Sequence, residues 1–334
     1  MFRPGFARRS AKPHDGTCQG LCAGGKPVPA FRHALMFGAD VDRSTDGSTS
    51  DRLELQEPRM RLFALSDLHL GHEANRCALS SIRTRPDDWL ILAGDVGEKR
   101  AHLRFAFETL GPRFRQLVWV PGNHELWTIP SIGEETRGQC RYEELIDLCR
   151  SYGVLTPEDP YPVVSLGGAD VIIAPLFLLY DYSFRPSDVA LEQAVEWAEE
   201  TGVLCTDELL LHVDPYPGIV DWCHARCALT EMRLARQGGA LPTVLINHFP
   251  LRESLVRLPS IPRFSIWCGT RRTENWHLRF NAAVVVSGHL HIRSTQYCDG
   301  VRFEEVSLGY PDQWSRTPDD YLREIVLSER ANRL

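Results

Sequence analysis

Short apolar runs that stop abruptly at polar residues organise this chain. LFAL is followed by Ser66-Asp67-Leu68-His69, LILA by Gly94-Asp95, LVWV by Pro121-Gly122-Asn123-His124-Glu125, TVLI by Asn247-His248, and AVVV by Ser287-Gly288-His289-Leu290-His291. Runs of aliphatic and β-branched residues bounded by turn residues read as buried strands. Between them the apolar spacing lengthens to three and four. KRAHLRFAFETLGPRF, apolar at Leu103, Phe107 and Leu110, reads as a helix. So do RYEELIDLCRSYG with Gly153 as its stop, SDVALEQAVEWAEETG opened by Ser187, and the longer PGIVDWCHARCALTEMRLARQGG. PVVSLGGADVIIAPL and TQYCDGVRFEEVSL read as hairpins turning at Gly167-Gly168 and Asp299-Gly300, and YLREIVLS as a last strand. This alternation predicts an α/β fold from Met60 onward. Residues 1–58 are rich in Gly, Ser, Asp, Arg and Pro without sustained periodicity, so a disordered N-terminal extension is expected ahead of one domain over 59–330.

Composition narrows the partners. With 43% hydrophobic residues, 334 residues suffice for a sizeable core, and a net charge of −7 argues against nucleic acid or an anionic membrane as partner. No apolar run is long enough for a bilayer span. Arg8-Arg9-Ser10 is not followed by an apolar stretch, so no signal peptide is expected and the cytoplasm is the expected location. The ten cysteines form no Cys-x-x-Cys pair, and Cys223 and Cys227 share a helix face, so reduced thiols are expected.

The chemistry lies at the strand ends, the edge where ligands bind in α/β sheets. Each apolar run delivers Asp, Asn or His there. Carboxylate, amide and imidazole donors without thiolate suit divalent manganese, iron, cobalt or zinc. Seven or eight donors exceed the needs of one ion, so two ions sharing a carboxylate are expected, an arrangement suited to in-line displacement at phosphorus.

Asp67-x-His69, Gly94-Asp95, Gly122-Asn123-His124-Glu125, His248 and Gly288-His289-x-His291 together resemble the calcineurin-like metallophosphoesterases. The resemblance implies a β-sandwich flanked by helices, in α/β/β/α layers. It implies that Asp67, His69 and His291 hold one metal, that Asp95 bridges, and that Asn123, His248 and His289 hold the other. It further implies that His124 stabilises the transition state or protonates the leaving oxygen, while a metal-bridging hydroxide attacks phosphorus. Glu125 is expected to support the site. GDVGEKR lacks the Asp-Arg-Gly that follows Gly-Asp in the protein-phosphatase branch, which argues against a serine/threonine phosphatase of that type.

GNHELW at 122, FLLYDYSF at 177, FSIWCGT at 264 and FEEVSLGYPDQW at 303 are similar to segments of actinobacterial phosphopantetheinyl hydrolases. That resemblance implies a phosphodiesterase releasing 4′-phosphopantetheine from holo-acyl carrier protein; hydrolysis of nucleotides or another small phosphodiester is the alternative. Residues 251–280 carry six arginines and two glutamates, a local +4 (6 − 2) in an acidic chain. Arg271 and Arg272 are therefore candidates for docking an acidic carrier protein, against the plainer reading of a loop whose arginines pair with acids elsewhere. Trp267, Trp276, Tyr180 and Tyr182 are candidates for lining a groove for the pantetheine arm. His72, His102, His212, His224 and His277 are expected to be ordinary surface or core histidines.

Overall fold

The computed structural model describes residues 60–327, and the segment 1–58 lies outside them. The strands are β1 (Leu62–Leu65), β2 (Arg85–Leu92), β3 (Phe114–Trp119), β4 (Val163–Leu166), β5 (Ala169–Pro175), β6 (Thr243–Ile246), β7 (Ala282–Ser287), β8 (Ser294–Cys298), β9 (Val301–Glu305) and β10 (Arg323–Glu324). The helices are α1 (Glu73–Leu79), α2 (Arg100–Leu110), α3 (Asn123–Leu126), α4 (Gly138–Ser151), α5 (Ala194–Glu199), α6 (Asp207–Leu210), α7 (Ile219–Ala235) and α8 (Trp276–Arg279).

Two sheets form, ordered β10-β1-β2-β3 and β4-β5-β6-β7-β9-β8. In the first, β1, β2 and β3 are parallel and only the β10 edge is antiparallel; in the second, β5, β6, β7 and β9 are parallel and both edges, β4 and β8, are antiparallel. Successive strand residues point to opposite faces, and the burial follows that alternation. Leu62, Ala64, Ile91 and Val118 of one sheet share an aliphatic core with Val171, Ile173, Val244, Ile246, Val284 and Val286 of the other. The intervening Phe63, Leu65, Leu90, Leu92, Leu117, Trp119, Leu245 and Val285 join the helical residues Leu103, Phe107, Leu110, Leu145 and Trp222 in a second cluster. The result is the expected sandwich of two sheets with helices outside it. A bridge between Ser66 and Ser307 ties the sheets together where β1 and β9 end.

The departures from expectation are local. The helix expected over 187–202 contracts to a 3-10 turn at Leu191–Gln193 and α5, because only the small Ala194 and Ala198 are buried there and anchor little apolar area. The last strand contracts to β10, whose Ala64–Arg323 and Phe63–Glu324 pairs lie against β1. Helix α1, with only Asn75 and Leu79 buried, was not expected from the pattern. The arginine-rich segment folds as 3-10 turns at Glu253–Leu255, Pro262–Trp267 and Arg271–Thr273. No helix among the described residues is long and apolar enough to cross a membrane.

Candidate metal centre

Both sheets aim the C-terminal ends of parallel strands at one place. Beyond those ends the chain must turn sharply, and the turn falls on the donor residues themselves. Asp67, His69, Asp95, His289 and His291 all have left-handed backbone, with φ between 41° and 73°. Such a conformation costs an L-residue roughly 1–2 kcal/mol, so strain is concentrated where the donors converge. Two glycines make the approach possible. A Cβ on Gly288 would strike the carboxylate of Asp67, and one on Gly122 would strike that of Asp95.

The donors fall into two groups, each compact enough for one ion to touch all its members: Asp67 with His69 and His291, and Asp95 with His248 and His289. In the first, His69 Nε2 and His291 Nε2 lie 3.0 Å apart, and Asp67 Oδ1 is 3.1 Å from His291 Nε2. The other oxygen of Asp67 accepts from the Ser66 and Ser307 hydroxyls (2.5 and 2.8 Å) and from the His289 backbone N–H (3.1 Å). Gln313 Oε1 lies 2.7 Å from His291 Nδ1 and accepts its proton, which turns Nε2 inward. Tyr310 stacks on the His69 ring at 4.4 Å between centroids.

In the second group, His248 Nδ1 is 2.9 Å from the Ala93 carbonyl and must donate to it, leaving Nε2 to face Asp95 Oδ2 at 3.4 Å. Asn123 reaches the same place. Its amide nitrogen donates to Asp207 (2.9 Å), which fixes the amide orientation and leaves the buried Oδ1 without a hydrogen-bond partner. His248 Nε2 and His289 Nε2 are likewise buried and unpartnered. Buried polar atoms rarely go unsatisfied, so this cluster of unpartnered polar atoms beside Asp95 fits a cation.

The electrostatics agree. Burial pushes the carboxyls of Asp67 and Asp95 upward, but the surrounding histidines outweigh it and both lie below the ordinary range. Burial lowers His248 and His291, yet Asp95 and Asp67 bring them to about 10 and about 9 respectively. Burial wins at His69 and His289, which fall to about 4 and about 3. Two buried carboxylates are drawing positive charge into a shared pocket, and divalent ions would supply it.

His124 stands beside these groups. Its Nε2 is 3.7 Å from Asp95 Oδ2, its Nδ1 is 3.2 Å from Glu98 Oε1, and its ring lies against Trp127. Burial lowers its pKa, but Asp95 and Glu98 outweigh that and raise it. Glu125 accepts the backbone N–H groups of Asp95 (3.0 Å), Val96 (2.6 Å) and Gly122 (2.9 Å), stapling the ends of β2 and β3 together.

A cavity of about 250 Å³ opens over the donors. Asp95, Asn123, His124, His289 and His291 line it, together with apolar Leu258, Ile261, Phe264 and Leu290 and the more polar Tyr310 and Gln313. The expected groove aromatics are elsewhere. Trp267, Trp276 and Tyr180 are core residues, and Tyr182 hydrogen-bonds Glu208. The sequence pattern assigned no role to Asp207, Glu98, Ser307, Tyr310 or Gln313: Asp207 opens the four-residue α6 and the others lie in loops, with no periodicity to mark them. Arg271 is paired with Glu253 at 2.7 Å.

Residues 60–293 match the calcineurin-like phosphoesterase family. The chain is 47% identical over 268 residues to the acyl-carrier-protein phosphodiesterase PptH of Mycobacterium tuberculosis, a match covering 79% of this chain and 83% of that protein. The crystal structure of the phosphopantetheinyl hydrolase PptH from Mycobacterium tuberculosis matches with a TM-score of 0.77, covering 80% of this chain and 96% of the other.

Proposed function

We propose that the chain, which belongs to the calcineurin-like phosphoesterase family, hydrolyses the phosphodiester joining 4′-phosphopantetheine to the serine of holo-acyl carrier protein. The observation that carries this reading is the 47% identity to an acyl-carrier-protein phosphodiesterase over four-fifths of the chain. The cavity suits it, because apolar residues adjoin the polar donors where an extended arm would lie beside its phosphate.

Asp67, His69 and His291 would hold one divalent ion and Asn123, His248 and His289 the other, with Asp95 shared between them. The donor set suits manganese or iron first, and zinc or cobalt as alternatives. When bound, such a pair stabilises charge on the phosphoryl oxygens and makes a nucleophile available near neutrality. The chain's own part is positioning and proton transfer. Glu98 holds His124 by Nδ1 and leaves Nε2 directed at the pocket. As the bond from phosphorus to the serine oxygen breaks, His124 gives its Nε2 proton to that oxygen, which would otherwise leave as a poor alkoxide. Water adds to phosphorus, and the products are 4′-phosphopantetheine and the apo-carrier serine.

Incubation of purified protein with manganese and holo-acyl carrier protein, followed by intact mass, tests this. The carrier is expected to return to its apo mass, and His124→Ala is expected to abolish the change. An unchanged carrier, alongside turnover of an aryl phosphodiester, would refute the carrier-protein reading and favour a small diester.

A further inference from the structure

Of the six arginines between Leu251 and Phe280, four are committed inside the fold. Arg252 pairs with Asp299 (2.6 Å), Arg263 with Glu200 (2.7 Å), Arg271 with Glu253 (2.7 Å), and Arg279 with Glu231. The Arg272 guanidinium meets the imidazole of His224 at 3.3 Å. Arg257 is exposed and has no carboxylate partner among the described residues.

The position of Arg257 separates it from the others. It directly precedes Leu258, and Leu258, Ile261 and Phe264 line the cavity over the donors. Ile261 is 44% exposed although it lines that cavity, which puts it at the mouth. Pro259, Ser260 and Pro262 around it are exposed as well. The segment 257–262 therefore carries an unneutralised cation and an apolar side chain to the rim.

The geometry of the substrate then decides which surface matters. The scissile ester attaches phosphorus to a serine side chain, so the carrier's backbone lies only three covalent bonds from the reacting atom. When phosphorus reaches the donors, the carrier surface around that serine must come down onto the rim. Residues at the mouth meet it first. A guanidinium that is not already neutralised attracts an acidic surface there, whereas one paired with Glu253 offers little net charge. The rim also carries the exposed Asp312, between the cavity-lining Tyr310 and Gln313. A like charge at Asp312 repels the same partner and biases its approach toward Arg257.

We propose that Arg257 and Ile261 form the docking point for an acidic carrier protein at the cavity mouth, in place of Arg271. This rests on the carrier-protein reading above. The test compares kcat/KM on holo-acyl carrier protein with kcat/KM on bis(4-nitrophenyl) phosphate for wild type, Arg257→Glu, Arg257→Lys and Arg279→Glu. The carrier-to-diester ratio is expected to fall about tenfold or more in Arg257→Glu, as rim-charge reversal slows encounter, and to shrink toward wild type at high salt. Arg257→Lys retains the charge and should restore most of the ratio, and the remote Arg279→Glu should leave it near wild type. An unchanged ratio in Arg257→Glu, or an equal fall in Arg279→Glu, would overturn the docking point alone. A wild type that hydrolyses the aryl diester and ignores the carrier would overturn the docking point and the carrier reading together.

Discussion

Replacing Arg141 by methionine should unsettle His124 without touching it. Arg141 is 1% exposed. Its Nε donates to the Glu125 carbonyl (2.5 Å), its Nη1 to Glu134 Oε2 (2.6 Å) and its Nη2 to the Glu98 carbonyl (2.6 Å). Glu98 holds the His124 ring and Glu125 follows His124 in the chain, so one guanidinium from α4 fixes both segments that place His124. Methionine keeps much of the stem and removes the charge and the donors. Glu134, 5% exposed, then retains only Arg100, through its backbone N–H at 3.1 Å and its Nε at 3.5 Å. Breaking a buried pair from one side costs about 3–5 kcal/mol, and the residual Arg100 contact puts the loss near the lower figure. At about 2–4 °C per kcal/mol for a domain of this size, Tm should fall by roughly 6–12 °C. Adding Glu134→Gln to Arg141→Met removes the stranded charge and should recover part of the loss. Circular dichroism at fixed metal concentration gives Tm, because ion binding to the native state shifts it. Kinetics on an aryl diester should show kcat falling with KM nearly constant. A drop in Tm below about 2 °C, or a double variant less stable than Arg141→Met alone, would refute the reasoning.

Gln313→Leu removes the acceptor of the His291 Nδ1 proton. Manganese affinity by titration should weaken about 10–100-fold, and an unchanged affinity would deny Gln313 an orienting role. Asp319 is buried and accepts from the Arg83 backbone (2.9 Å), Arg83 Nε (2.7 Å) and Arg85 Nη1 (2.6 Å). Burial raises its pKa, but Arg85 and Arg83 outweigh burial and hold it below the ordinary range. A depressed carboxyl stabilises the fold above its unfolded pKa of about 3.9 and loses that contribution as pH falls toward the folded value. The stability gap between wild type and Asp319→Asn in urea should therefore narrow from about pH 6 toward about pH 3, and a constant gap would rule out the linkage.

What could be read in the sequence follows from where each donor sits. A strand running through a sandwich core can release its next polar residue only at the sheet edge, so the apolar periodicity located Asp67, Asp95, Asn123, His248 and His289 together. It did not give the layers, which the family resemblance implied: LFAL is apolar throughout, and only the fold shows Leu62 and Ala64 facing one core and Phe63 and Leu65 the other. The orienting partners were invisible for the complementary reason. Asp207, at the start of the one-turn helix α6, reaches Asn123 across 84 residues, and Gln313 reaches His291 across 22 from a loop, so neither belongs to a stretch long enough to show a period. Aromatic character failed as a guide because an indole in the core and one lining a groove look alike along the chain; Phe264, stacked on His289, lines the cavity, and Trp267 and Trp276 do not. Charge counting failed in a more instructive way. The +4 of residues 251–280 ignores Glu200, Glu231 and Asp299, which the fold brings to Arg263, Arg279 and Arg252. A local excess of arginine thus sets an upper bound on what a partner meets. Of the segment's arginines, Arg257 and Arg272 are the two left without a carboxylate partner among the described residues, and of these Arg257 is the one that adjoins the cavity-lining Leu258.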